Sequence, residues 1–310
     1  MYEFNIFSYD NVENNKKGNF SIGWVKFNNG LFDGRETLLK NIAGEDPEKS
    51  SLIYPNDENF DIPYIALNPL VSEIICNTGD KETKAAEYYL AKQDGKLLVC
   101  SPSFKKPGEE LINGNDLMKI GHRSLKRANP YDVLTIANDI TEELTRRNIP
   151  KEEIRNIVIQ YIKDSFKNAY LGIYDSNNDN FGVLLSKDGH ARIAPIYDLD
   201  LGLNVPFKYK DNVDQEFKEK HEEYMKTLNN PNYLAKYIST MQKKFPWFED
   251  WVEQFMQNTK HINLKKQLSQ QKDINVPDEQ IKHYTDFINE RNGQLQKYLF
   301  ETRFTNFFEL

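Results

Sequence analysis

Cysteine is nearly absent from this chain: Cys76 and Cys100 are the only two in 310 residues. Two thiols cannot build a disulfide framework, and no Cys/His spacing matches a zinc site, so both are expected as buried thiols of a reducing compartment. No apolar run is long enough to span a bilayer. The opening residues Met1-Tyr2-Glu3-Phe4-Asn5 lack the basic stretch and apolar core of a general secretory signal. The expected location is therefore cytoplasmic, although export by another route would leave no such mark. A basic excess is also missing. With 40 Lys+Arg against 47 Asp+Glu the net charge is −7 and the pI near 5.4, which argues against a polybasic nucleic-acid or membrane-surface protein. No internal repeat or functional low-complexity tract stands out.

What the chain has is core material. Aromatic residues make up 13%, with 17 Tyr and 19 Phe, too many for a disordered chain even at a mean hydropathy of −0.71. The length suits roughly two domains of about 150 residues, or one fold with two lobes. Turn residues break up the first hundred positions, which read as strands. Phe20–Phe27 runs into Asn28-Asn29-Gly30, and Thr37-Leu38-Leu39-Lys40 follows as a second strand. Asn68–Ile75 reads as a short capped helix with Pro69 in its first turn. Ala86–Ala91 and Lys96–Cys100 read as a hairpin around Asp94-Gly95.

Beyond Lys105-Lys106-Pro107-Gly108 the period becomes helical. Val133, Ala137, Ile140 and Leu144 form one apolar stripe; Ile154, Val158, Ile162 and Phe166 form another, on a helix starting near Pro150. From about residue 211 the chain is charged and helical, broken at Pro246 and Pro277. Trp247, Phe248, Trp251, Phe255, Tyr284, Phe287 and Tyr298 are its expected packing residues.

One stretch concentrates chemistry. Tyr174-Asp175-Ser176-Asn177-Asn178-Asp179-Asn180 is a polar loop after a helix. A hairpin turning at Asp188-Gly189 follows, and then a strand, Ile193-Ala194-Pro195-Ile196-Tyr197-Asp198, that ends on a carboxylate. Asp175, Asn180 and Asp198 would thus meet at one place. An Asp, an Asn five positions on and a later Asp beyond a hairpin is the arrangement of protein-kinase-like phosphotransferases. There a base Asp meets the attacking hydroxyl, and Asn and Asp oxygens hold Mg²⁺ against phosphate oxygens. Two other readings stay open. Asp, Asn and Ser also gather in loops simply to cap helices and fill turns. Asp175, Asn177 and Asp179 also occupy positions one, three and five of a calcium loop, which then fails at Asn180 and Ser186, where Gly and Glu belong.

The segments Asp175–Leu185 and Ile193–Asp198 resemble the catalytic and metal-binding segments of the HipA-type serine/threonine kinases. The resemblance implies an α+β, two-lobed kinase fold. Its parts would be a sheet-rich lobe over 1–100, a hinge over 101–104 and a helical lobe over 105–310 carrying the catalytic loop. It also implies ATP and Mg²⁺ as cofactors, a protein Ser/Thr acceptor, self-phosphorylation and, beyond the cell, export into a host. Carried over by position, Asp175 would be the catalytic base, with Asn180 and Asp198 as Mg²⁺ ligands. Asn177 stands where the family often has His, Asp179 is an auxiliary carboxylate, and Asp200 reads as a cap or turn residue.

A kinase also needs a cation on the ATP phosphates. Lys40 resembles the family's strand lysine, with Lys26 as its rival, and Glu73 is the residue to orient it. Gly18 and Gly23 would flank a loop over the phosphates. Cys100, Ser101 and Ser103 would line adenine at the hinge. A small-molecule kinase with the same site and a non-catalytic nucleotide-binding adaptor remain as alternatives.

Overall fold

The computed structural model describes residues 2–3, 9–13, 21–27, 34–41, 52–53, 68–76, 84–93, 96–173, 178–199, 202–203, 208–209, 214–259, 263, 266 and 278–308. The first part is built on strands β1 (Tyr2–Glu3), β2 (Tyr9–Glu13), β3 (Ser21–Phe27), β4 (Glu36–Asn41) and β5 (Leu52–Ile53). Helix α1 (Asn68–Cys76) and strands β6 (Tyr89–Gln93) and β7 (Lys96–Pro102) follow. Six strands form one sheet in the order β1-β6-β7-β4-β3-β2. Its pairs are antiparallel except β1 against β6.

Side chains alternate across a sheet, so the register decides which residues face which side. Leu39 is opposite Cys100, and Cys100 is also opposite Tyr89. These residues lie on the face where Val25, Phe27, Leu39, Ala91, Leu98 and Cys100 form a small buried cluster. Lys40, opposite Val99, belongs to the other face. Val99 there joins Leu70, Val71, Ile74 and Ile75 of α1 in the main core. Cys100 is fully buried, and desolvation pushes its thiol up to about 12. Cys76 departs from expectation: it is exposed. The buried stripe of α1 is Leu70, Val71, Ile74 and Ile75, and Cys76 falls on the outer face with Glu73.

The second part opens with β8 (Glu110–Asn113) and the single turn α2 (Gly114–Leu117), then α3 (Pro130–Arg146) and α4 (Lys151–Tyr170). Asn129 caps α3 through its side chain, which accepts from the Tyr131 N–H, and Pro130 occupies the first turn. The hairpin β9 (Gly182–Leu185) and β10 (Ala191–Ile193) adds to β8 in a three-stranded antiparallel sheet. Gly189 turns it at φ 85°, a conformation suited to glycine. Next come β11 (Lys208–Tyr209), α5 (Gln215–Leu228), α6 (Tyr233–Lys244), α7 (Phe248–Thr259) and the 31-residue α8 (Asp278–Phe308). β11 pairs with β5, so the two parts are joined by a two-stranded antiparallel sheet.

The helical core is centred on Phe166 of α4. Its ring meets Tyr237, Phe248, Trp251 and Phe255 edge-on at 5.6–5.7 Å, a geometry that aligns ring edges with ring faces. The expected packing residues Phe248, Phe255, Tyr284 and Phe287 are buried, and Trp247, Trp251 and Tyr298 pack against the same core. Arg291 of α8 is 1% exposed and sits near the rings of Phe287 and Tyr233, at 4.9 and 5.6 Å. Its guanidinium nitrogens have no hydrogen-bond partner among the described residues.

Candidate functional site

Three segments converge where the two parts meet. The first is Asn178–Asn180, a single tight turn beyond α4. The Asn178 side-chain amide donates to the carbonyls of Arg123 and Leu125, each at 3.0 Å. Arg127, 3% exposed, donates to the Asn180 carbonyl at 3.3 Å and lies 5.3 Å from the Phe181 ring. The Gly114 N–H donates to the Phe181 carbonyl at 2.9 Å, and a Cβ on Gly114 would collide with Phe181 and the Asn178 carbonyl. Only glycine permits this approach.

The second segment follows β10. The Ile196 N–H donates to the Lys84 carbonyl and the Ala86 N–H to the Ile196 carbonyl, both at 2.8 Å. This short parallel bridge leads the chain from the hairpin onto the sheet-rich part and delivers Asp198. The Asp198 N–H donates to the Tyr88 hydroxyl at 2.9 Å. Asp198 has φ 58°, a left-handed conformation that costs a non-glycine residue about 1–2 kcal/mol. Such outliers persist where the surroundings over-determine them, and the Ile196 bridge and the Tyr88 bond are the local constraints.

The third segment is β4. Lys40, 6% exposed, donates through Nζ to Asp198 Oδ1 at 2.7 Å, across 158 positions of sequence. Lys26 shares its sheet face but lies opposite Glu36 at the far end of the strand pair, and it is exposed. Gly23 pairs with Leu39 beside Lys40, where the register of β3 shifts between Ser21 and Gly23. A bulge is the usual role of a glycine within a strand.

The Tyr197 hydroxyl donates to the Asp179 carbonyl at 2.8 Å. It brackets the remaining pair, since Asn180 and Asp198 each stand one residue beyond that bond. Their amide and carboxylate oxygens are hard donors suited to Mg²⁺. Asn180 is buried and Asp198 partly so. Asp179 is exposed and its carboxylate accepts from Asn115 Nδ2 at 2.6 Å. Among the described residues no group of three or more His, Cys, Asp or Glu is placed to hold a metal.

Not every expected residue enters this cluster. Glu73 is exposed on α1. The Cys100 side chain belongs to the opposite sheet face. Ser101 is buried opposite Leu38, and the Ser103 N–H donates to the Glu36 carbonyl at 2.8 Å. Asp175, Asn177, Gly18 and Asp200 lie outside the described residues. The reading of sequence did not single out Tyr88, Arg127 or Gly114. The dipeptide Asn113-Gly114 is a turn signal that marks the last of these, but nothing local distinguishes Tyr88 or Arg127.

Among solved structures, the chain superposes on a Helicobacter pylori proinflammatory kinase, CtkA, with a TM-score of 0.60 and 15% identity. The match covers 96% of this chain and 95% of that one. The chain has a two-lobed kinase fold. A second similar structure is HipA of a Shewanella oneidensis MR-1 toxin–antitoxin system, solved with HipB and operator DNA. It has a TM-score of 0.40 and 11% identity, over 88% of this chain and 60% of that one. No protein-family model and no curated protein sequence matches the chain. In kinase terms the sheet-rich part is the smaller lobe and the helical part the larger. Among the described residues, no helix is long and apolar enough to cross a membrane.

Proposed function

We propose that the chain is an ATP- and Mg²⁺-dependent serine/threonine protein kinase that also phosphorylates itself. The observation that carries this reading is the 2.7 Å contact between Lys40 and Asp198. A buried lysine on a strand of the smaller lobe meets a carboxylate delivered by the larger lobe's hairpin. Phosphoryl transfer needs such a cation beside a metal-binding carboxylate, because the transferring group carries charge that must be neutralised in place.

In this reading Asn180 and Asp198 hold Mg²⁺, and Asp179 lies close by. The ion, when bound, supplies charge neutralisation on the phosphate oxygens. Lys40 adds a second positive charge on the phosphates and keeps Asp198 oriented. Arg127 and Asn178 hold the loop in register, which preserves the alignment on which the rate depends. Asp175 takes the proton of the acceptor hydroxyl as its oxygen bonds to the γ-phosphorus and the bond from that phosphorus to ADP breaks. A positioned base of this kind contributes about 10²–10⁴-fold. Adenine would lie along β7 near Cys100–Ser103, and Gly18 and Gly23 would flank the phosphates.

The test is transfer of γ-labelled phosphate, with Mg²⁺ and with the metal chelated, by the unaltered protein and by Asp175→Ala and Asp198→Ala. A generic protein acceptor is supplied in parallel. Label on Ser/Thr that needs Mg²⁺ and disappears in both variants is the expected result. Label found only on a small molecule would make it a small-molecule kinase. ATP binding with no transfer to any acceptor would make it a nucleotide-binding adaptor.

A further inference from the structure

The site described above leaves recognition of the acceptor unassigned, and the segment over 119–127 lies against it. Its sequence, Lys-Ile-Gly-His-Arg-Ser-Leu-Lys-Arg, holds four of the chain's 40 Lys+Arg and no carboxylate, in a protein of net charge −7. This basic run is tied to the candidate catalytic loop. The Asn178 amide bonds the carbonyls of Arg123 and Leu125 at 3.0 Å, and Arg127 bonds the Asn180 carbonyl at 3.3 Å.

The charges of the run are used differently. Arg127 is buried against Phe181 and holds the loop. Lys119 is paired with Glu142 at 2.8 Å, and its N–H, like His122 Nδ1, contacts the Asp139 carboxylate. Arg123 is exposed, and its guanidinium makes no hydrogen bond or ion pair among the described residues. Its backbone is nevertheless fixed beside the loop. Close to it in the chain is Ile120, a large apolar residue left 81% exposed. A held backbone carrying an uncommitted guanidinium next to an exposed aliphatic side chain is chemistry for a carboxylate-bearing peptide. Arginine forks match carboxylates, and rim charges steer and select partners.

We infer that Arg123 is a specificity-determining residue that selects protein acceptors with Asp or Glu near the phosphorylated Ser/Thr. The inference rests on the kinase reading above. The expected substrate is therefore an acidic segment, despite the negative charge of the whole chain, because the exposed Arg123 guanidinium offers a local positive charge beside the loop.

Two synthetic Ser-containing peptides of equal length and apolar content, one flanked by Asp and one by Lys, provide the test. Binding by fluorescence anisotropy and kcat/KM for phosphate transfer are measured for the unaltered protein, Arg123→Glu and Arg155→Glu. Arg155 is an exposed arginine of α4 and controls for bulk charge. The Asp-flanked peptide is expected to bind and react about tenfold better, a margin typical of one charge-assisted contact. Arg123→Glu should reverse the order, and Arg155→Glu should leave it unchanged. Equal binding of both peptides by the unaltered protein, or equal effects of the two substitutions, would overturn the inference. Absence of transfer to either peptide would instead defeat the kinase reading, while anisotropy still decides whether Arg123 sets the charge preference.

Discussion

In the smaller lobe, the outer face of β4 is closed by Val25, Phe27, Leu39, Ala91, Leu98 and Cys100, with Tyr89 alongside. In the larger lobe, Phe166 is ringed by four aromatic side chains, within a core that extends through α3, α4, α6, α7 and α8. The cation of the candidate site, Lys40, is carried by the smaller lobe, on the sheet face opposite its buried cluster. Asn180 and Asp198 belong to chain that leaves the larger lobe. Local opening free energies track buried apolar contact, so substitutions in the two clusters test whether the lobes open together or separately. The loop that must stay aligned is held by the larger. The Lys40–Asp198 contact is where the two lobes meet.

Removing the centre of the larger core should show the contrast most strongly. Phe166→Ala is expected to cost about 3–5 kcal/mol and to destabilise the whole chain, read as a shifted urea midpoint monitored by both circular dichroism and tryptophan fluorescence. Lys40→Met keeps an apolar stem in the strand and removes the charge. Activity is expected to drop about 10²–10³-fold, the range seen when one electrostatic stabiliser is lost, with the folded state retained by circular dichroism. Leu39→Ala, its neighbour on the opposite face, should cost about 2–3 kcal/mol. Hydrogen exchange should then accelerate in β3, β4 and β7 and stay slow in α4. Exchange rising equally in both lobes would show that they unfold as one unit.

Two smaller effects sharpen the comparison within the larger lobe. Burial holds the Arg291 pKa below its ordinary value. A buried charge near rings with no hydrogen-bond acceptor among the described residues is replaceable by an apolar side chain. Arg291→Met is expected to raise stability by about 1 kcal/mol, measured by denaturant unfolding. On the surface, His190 Nδ1 is 2.6 Å from Glu153 Oε1, joining the β9–β10 hairpin to α4. The Ala191 N–H and then His190 hold the Glu153 carboxyl below its usual range, and Glu153 raises the His190 pKa. Glu153 contributes above its unfolded pKa and loses this as pH falls through the depressed folded value. His190 contributes below its unfolded pKa and loses this as pH rises through the raised one. The tie is therefore strongest between the two. In an NMR titration Glu153→Gln should return His190 towards the ordinary histidine value.

Where one local pattern carried the information, sequence and structure agree. The stripes Val133-Ala137-Ile140-Leu144 and Ile154-Val158-Ile162-Phe166 face the core in α3 and α4, all buried except Val158, which is half-buried against it, and the turns at Pro69 and Asp188-Gly189 stand where the turn chemistry put them. Lys40 was legible as a strand residue because it ends the short β-branched and apolar run Thr37-Leu38-Leu39 after a turn-rich stretch. Its burial and its partner were not, since they depend on pairing with β3 and β7 and on a hairpin 158 positions away. Cys76 illustrates the opposite failure, because an apolar composition does not say which face of α1 meets the sheet.

From its sequence alone the chain determined its core helices and the β9–β10 hairpin, because periodicity and turn chemistry act over a few residues. Only the tertiary structure decided that Lys40 rather than Lys26 meets Asp198, that Tyr88, Tyr197 and Arg127 frame the site, and that Arg123 stands exposed beside it. Those outcomes depend on which strand lies against which and on the close approach at Gly114. Long-range packing sets both, and no local pattern encodes them.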